Sequence, residues 1–148
     1  MSVLDLEARR SLLEAAGLAV LDSAWVGEAP EPMKAWRPII SGGAKPAVRI
    51  RTLEANGYLP EVQDQWVRLS EEIGIFGDQD DFLISVAGAG AANAPWARVQ
   101  RTGAMRLAQR LGSVDGEPEF VAMSLDGRVA CGVTTEEYEV WIVTALID

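Results

Sequence analysis

The last third of the chain constrains the fold most. Two apolar-rich runs, Phe120 to Leu125 and Arg128 to Val133, flank an Asp126-Gly127 pair. Such a pair between apolar runs is a strong hairpin signal, because a type I′ turn needs positive φ at both central positions. Thr134 to Glu137 supply the next turn, and Tyr138 to Ile147 form the longest strand pattern in the chain. That strand is apolar on both faces after Glu139, which places it centrally with helices covering the sheet. The expectation is a three-stranded antiparallel meander over 120–147.

Helical periodicity supplies the covering layers. Val3 to Ala16 reads as a helix with Ser2 as cap and Gly17 as a left-handed stop, followed by a strand at Leu18 to Leu21. Val62, Trp66, Leu69 and Ile73 fall at i, i+4, i+7 and i+11, one buried stripe on a helix that Pro60 opens and Gly74 ends. On its wet side, Asp64 with Arg68 and Arg68 with Glu72 have the spacing of helical ion pairs. A third helix is expected from Pro95 to Leu111, stopped by Gly112. Trp96, Gly103, Leu107 and Leu111 would share its buried face, with Arg98, Arg101 and Arg106 exposed. Gly103 in mid-helix costs about 1 kcal/mol relative to Ala, which suggests another backbone packed against it.

Between these elements, residues 27–47 read as irregular, since Pro30, Pro32, Pro38 and Pro46 join Gly27, Gly42 and Gly43 there. Val48 to Arg51 is a short alternating strand. An acidic turn, Gly77 to Asp81, precedes a strand at Phe82 to Ala87. The fold class is therefore α+β: an antiparallel sheet, with the C-terminal three-stranded meander, packed against about three helices. At 148 residues, one globular domain spanning 1–148 is expected.

Composition narrows the chemistry. The chain has no histidine and one cysteine. Ser-His-Asp and Cys-His nucleophilic sites, and zinc sites built on His or paired Cys, are excluded. No cofactor motif and no metal-ligand spacing is present. Cys131 alternates with Val129 and Val133, the setting of a buried structural thiol. The paired acids Glu71/Glu72, Asp80/Asp81 and Glu136/Glu137 are neighbours in sequence, so they do not converge on a point. No signal peptide or bilayer-length apolar run is seen, and a lone cysteine suits a reducing compartment, so the expected location is cytoplasmic.

Charge is unevenly spread within a net of −9. Residues 61–94 hold seven acids against Arg68, and 115–148 hold eight against Arg128, while 95–114 hold four arginines and no acid. Such a field repels nucleic acid and membranes and attracts basic proteins. The expected function is a non-enzymatic acidic protein-binding domain that neutralises or escorts a basic partner, in the manner of an immunity-type inhibitor. Its contact residues would be the turn acids Asp78, Asp80, Asp81, Glu136 and Glu137.

The alternative is a small enzyme or sensor for a phosphate or carboxylate ligand. Its anion site would be the Gly turn Ser41, Gly42, Gly43 with Lys45, Arg49 and Arg51, because turn amides and cations together cradle anions. Ala87 to Asn93, a Gly-rich connection, lacks the third Gly or the Gly-Lys-Ser/Thr of a phosphate loop. Whether Arg98, Arg101 and Arg106 form an interface or neutralise acids of the same chain is open from sequence.

Overall fold

The computed structural model describes residues 3–52, 57–88, 94–114 and 116–147. The element order is α1 (Val3–Ala15), β1 (Ala19–Asp22), α2 (Pro32–Ile40), β2 (Val48–Arg51), α3 (Tyr58–Ile73), β3 (Asp81–Val86), β4 (Ala97–Gln100), α4 (Leu107–Arg110), β5 (Phe120–Met123), β6 (Val129–Thr135) and β7 (Glu139–Leu146). The strands form one seven-stranded sheet in the order β1-β4-β3-β5-β6-β7-β2, every neighbouring pair antiparallel. The fold is α+β, as the sequence predicts.

Two long crossings explain the layering. β1 and β2 lie at opposite edges of the sheet. The chain passes between them through α2, which packs on β5, β6 and β7. It returns toward the middle through α3, which packs against β2, β6 and β7. The two helices cover opposite faces, and each closes a separate apolar core. One core joins Leu13 of α1, Trp66 of α3 and Leu107 of α4 to Phe82, Ile84, Phe120, Cys131 and Ile142. The other joins Ala35, Trp36 and Ile39 of α2 to Leu83, Trp96, Val121, Met123 and Val143. Every residue of β3 and of β5 is consequently buried.

Each core has a local anchor. Trp66 meets Phe76, Phe82 and Phe120 with ring centroids 5.5–5.9 Å apart, and its indole N–H donates to the Cys131 carbonyl at 3.3 Å. On the other face the Trp36 indole donates to the Ser85 hydroxyl at 2.8 Å. These bonds satisfy polar atoms that burial would otherwise leave without a partner. Gly132 makes the approach of α2 possible, because a Cβ there would lie 2.6 Å from Ile39 Cγ2.

The meander over β5, β6 and β7 forms as expected. Its first turn has a different geometry from the expected type I′. Only Gly127 of the pair takes positive φ (73°), and its N–H bonds the Ser124 carbonyl at 2.9 Å. Asp126 Oδ1 instead accepts from the Ser124 hydroxyl at 2.6 Å and the Arg128 amide at 3.1 Å. β7 is interior but not at the middle of the sheet; it lies next to the edge strand β2. The α1 stop is as read: Gly17 (φ 88°) and Leu18 bond back to Glu14 and Leu13, a Schellman pattern. Gly74 (φ 84°) ends α3, its N–H bonding the Ser70 carbonyl. The proposed Ser2 cap lies outside the described residues.

Two expected elements are corrected. Residues 27–47 are not wholly irregular. α2 occupies nine of them, with Pro32 in its first turn and Pro32, Ala35, Trp36 and Ile39 buried at helical spacing. The helix expected over 95–111 does not form. Ala97–Gln100 is strand β4, between β1 and β3, and only Leu107–Arg110 is helical. Its side chains alternate: Ala97 and Val99 enter the α3-side core, and Arg98 and Gln100 take the other face. Gly103 is an exposed turn residue with no atom within 4 Å of a notional Cβ. Glycines pressed against another backbone are instead Gly17 and Gly112, whose Cβ would meet the Ala104 carbonyl oxygen at 2.1 Å and the Glu117 carbonyl oxygen at 2.3 Å.

Candidate functional site

The five acids expected to form one surface stand at opposite ends of the sheet. β3 runs from Asp81 to Val86, and Val86 pairs with Phe120, which pairs with Val133. Asp78, Asp80 and Asp81 therefore lie at one end of β3, and Glu136 and Glu137 beyond the other. At strand rise the two ends are on the order of 15–20 Å apart.

The aspartate end is largely neutralised by its own chain. Asp81 is not a turn residue. It opens β3, is buried, and its Oδ2 accepts from Arg98 Nη2 at 2.6 Å and Nε at 3.2 Å. Asp80 takes a left-handed φ of 60°, which Asp tolerates better than most residues, and its Oδ1 accepts from Arg101 Nε at 3.0 Å. Arg101 also donates to Glu71 Oε2 at 3.1 Å and lies over the Phe76 ring, 4.2 Å from its centroid. Burial works against the Arg101 charge, but the bonds to Glu71 and Asp80 outweigh it and raise its pKa. Arg98 and Arg101 are thus internal charge partners, whereas Arg106 is exposed. Asp78 is exposed at the tip of this turn.

The glutamate end is different. Thr135 donates its hydroxyl to the Pro118 carbonyl at 2.9 Å, and the Glu136 amide bonds the Glu139 carbonyl at 2.7 Å. These bonds fix the β6–β7 turn beside residues 117–119. Glu119 is half-buried there. Burial, then Glu136, then Glu117 push its pKa above the ordinary carboxylate value. Among the described residues no ion pair reaches Glu117, Glu119, Glu136 or Glu137. Sequence reasoning named Glu136 and Glu137 but missed Glu117 and Glu119, because only the β5–β6 pairing brings the two pairs together.

The basic stretch lies along the opposite flank from β1. Ser41 ends α2, and the Ala44 amide bonds its carbonyl at 3.0 Å in a turn through Gly42 and Gly43. Both glycines are open, with no atom within 4 Å of a notional Cβ. Lys45, Arg49 and Arg51 are exposed, the last two on edge strand β2. Arg49 lies over the Trp141 ring at 5.2 Å, and Arg51 stands opposite Glu139 in the β2–β7 register. In the Gly-rich connection, Ala87 and Gly88 are described; residues 89–93 lie outside the described residues.

Cys131 is buried, and burial pushes its thiol up to about 12, with Ser70 bonding in the opposite sense. The nucleophilic thiolate is therefore essentially absent near neutral pH. Among the described residues no group of three or more Cys, Asp or Glu could hold a metal ion, and no helix is long and apolar enough to cross a membrane.

One further feature was not read from the sequence. An open groove of ≈ 280 Å³ runs between α3 and the loop that follows β4, lined by Gln63, Asp64, Val67, Glu71, Thr102 and Met105 among others. Asp64, Val67 and Glu71 share a helical face, which was the legible part. The opposing wall comes from the segment expected to be helical. Comparison with known protein families, with curated proteins and with solved structures finds no match to this chain.

Proposed function

We propose that this domain is a non-enzymatic binding protein for a basic protein partner, and that the glutamate end of the sheet is its working surface. The observation that carries this reading is Glu119, half-buried where burial first, then repulsion from Glu136 and Glu117, disfavours its charge, with no ion pair to it among the described residues. Like charges facing one another destabilise the isolated domain, and an arriving lysine or arginine would relieve that repulsion. The long-range field has the same sign, since the chain carries −9. An immunity-type inhibitor or an escort would use such a surface. At the other end, Asp80 and Asp81 are bonded to Arg101 and Arg98, so they contribute less to an encounter than sequence alone suggests.

The test is parallel affinity capture with the wild-type domain and a Glu119→Gln/Glu136→Gln/Glu137→Gln variant. The expected result is a basic protein retained by the wild type, lost by the variant, and associating more slowly as salt rises. A partner held equally by both, or at a salt-independent rate, overturns the reading.

A further inference from the structure

Strand β2 is the last strand of the sheet, and one side of its backbone faces no other strand. The Thr52 amide bonds the Tyr138 carbonyl at 3.1 Å, and the register sets Ile50 opposite Val140 and Arg49 opposite Trp141. Facing residues in an antiparallel pair alternate between bonding one another and pointing away. Ile50 therefore bonds β7, and the Arg49 amide and carbonyl point out of the sheet. The opposite edge is less open to pairing. There β1 shifts register between Val20 and Asp22, and such an irregularity hinders the addition of a strand.

The same edge carries cations that the chain does not neutralise, although acids are in excess. From Pro32 to Thr52 there are five basic residues and no acid, in a chain of net charge −9. Lys34, Arg37 and Lys45 are exposed, with no ion pair among the described residues. Arg49 is exposed too, and its guanidinium lies over the Trp141 ring, which holds it on the α2 face without a carboxylate among the described residues. We infer that β2 accepts an extended acidic peptide segment of a partner protein as a further strand of the sheet. The peptide residue opposite Arg49 would exchange backbone bonds with it and project its side chain on the same face, so a carboxylate there meets the guanidinium. The open backbone edge supplies the docking and the charge selects the sequence. A second copy of β2 does not suit this edge, because antiparallel pairing would set arginine against arginine. Screening over about 8 Å near physiological ionic strength lets this local patch act within an acidic chain. The inference is independent of the reading of the glutamate end.

The experiment titrates isotope-labelled domain with the blocked peptide acetyl-Asp-Val-Asp-Val-Asp-amide, following backbone amides by NMR. Two controls are its asparagine counterpart and the aspartate peptide N-methylated at every aspartate, which keeps the charge but removes the backbone donors. Expected are saturable shifts at residues 47–52 and 139–142 with the aspartate peptide, slower hydrogen exchange of the Arg49 amide, and no binding of the N-methylated peptide. Arg49→Gln should weaken binding by about fivefold, the size of an exposed charge contact, and Arg49→Lys should weaken it less. Glu119→Gln/Glu136→Gln/Glu137→Gln should leave these shifts unchanged. Equal binding of the N-methylated peptide, or the same shifts with inorganic phosphate, shows charge attraction without an added strand and overturns the inference. Equal binding of the asparagine peptide, or no shifts at 47–52, overturns it too, and either result leaves the proposed glutamate surface standing.

Discussion

Arg98 and Asp81 join neighbouring strands through one carboxylate oxygen, with Arg98 Nη2 2.6 Å and Nε 3.2 Å from Asp81 Oδ2. The Asp81 side chain is only 5% exposed and that of Arg98 is 37% exposed. Removing the cation leaves a buried carboxylate without its counter-charge, a larger loss than the net worth of the pair. Arg98→Ala should therefore destabilise by about 1–3 kcal/mol, measured by urea unfolding. Adding Asp81→Asn should return part of that loss. If the double variant is as unstable as the sum of the single ones, the two residues are not coupled.

The seat of α2 on the sheet makes a second prediction. A methyl group at position 132 would stand 2.6 Å from Ile39 Cγ2 and 3.2 Å from Val121 Cγ2. Overpacking a closed core costs typically about 1–3 kcal/mol. Gly132→Ala should lower the denaturation midpoint by that much, and Ile39→Ala in the same chain should recover some of it by making room. A neutral Gly132→Ala would mean that α2 is loosely held.

Much of this fold is legible in the sequence because local chemistry and tertiary position agree. The α3 stripe, the α1 stop at Gly17 and the meander are examples. The failures share a cause. Trp96, Leu107 and Leu111 share a helical face by spacing, yet Ala97 and Val99 also alternate, and pairing with both β1 and β3 decides for a strand. Arg98 looked solvent-facing because its buried counter-ion, Asp81, is distant in sequence. α2 was hidden by proline content, although its buried positions keep helical spacing and Pro32 sits where proline is tolerated. At the candidate surface, Glu136 and Glu137 were readable as turn acids, but their neighbours Glu117 and Glu119 arrive through strand register alone.

Glu119 sets a pH dependence. Its folded-state pKa is raised, chiefly by burial and then by Glu136 and Glu117. The folded protein thus binds this proton more readily than the unfolded chain does. Ionised Glu119 costs stability above its folded pKa, and protonation removes that cost as pH falls through it. Glu119→Gln should raise the thermal midpoint at pH 7 and give a shrinking advantage as the solution is acidified. A constant gain across pH would assign the effect to packing and not to charge.

Cys131 should report unfolding. With the thiol buried and its pKa pushed up to about 12, a thiol reagent reaches it only when the sheet opens. Labelling of the native domain should therefore be slow and should accelerate with urea in step with the loss of near-ultraviolet circular dichroism. Fast labelling of folded protein would contradict the burial.

The two ends of the sheet can be separated by stability and binding together. Asp80→Asn removes a partner of Arg101 at 3.0 Å, leaving that guanidinium with Glu71 and the Phe76 ring. It should cost a modest amount, up to about 1 kcal/mol for a partly exposed pair. Glu136→Gln/Glu137→Gln removes charges that bond nothing among the described residues, so it should leave stability unchanged or slightly improved. The association rate with a captured basic partner should show the reverse order, falling strongly for the glutamate variant and little for Asp80→Asn. Lys45→Ala and Arg49→Ala should leave that rate near wild type. If they instead abolish binding of inorganic phosphate measured by calorimetry, while the glutamate variant associates normally, the anion-ligand alternative replaces the basic-partner reading.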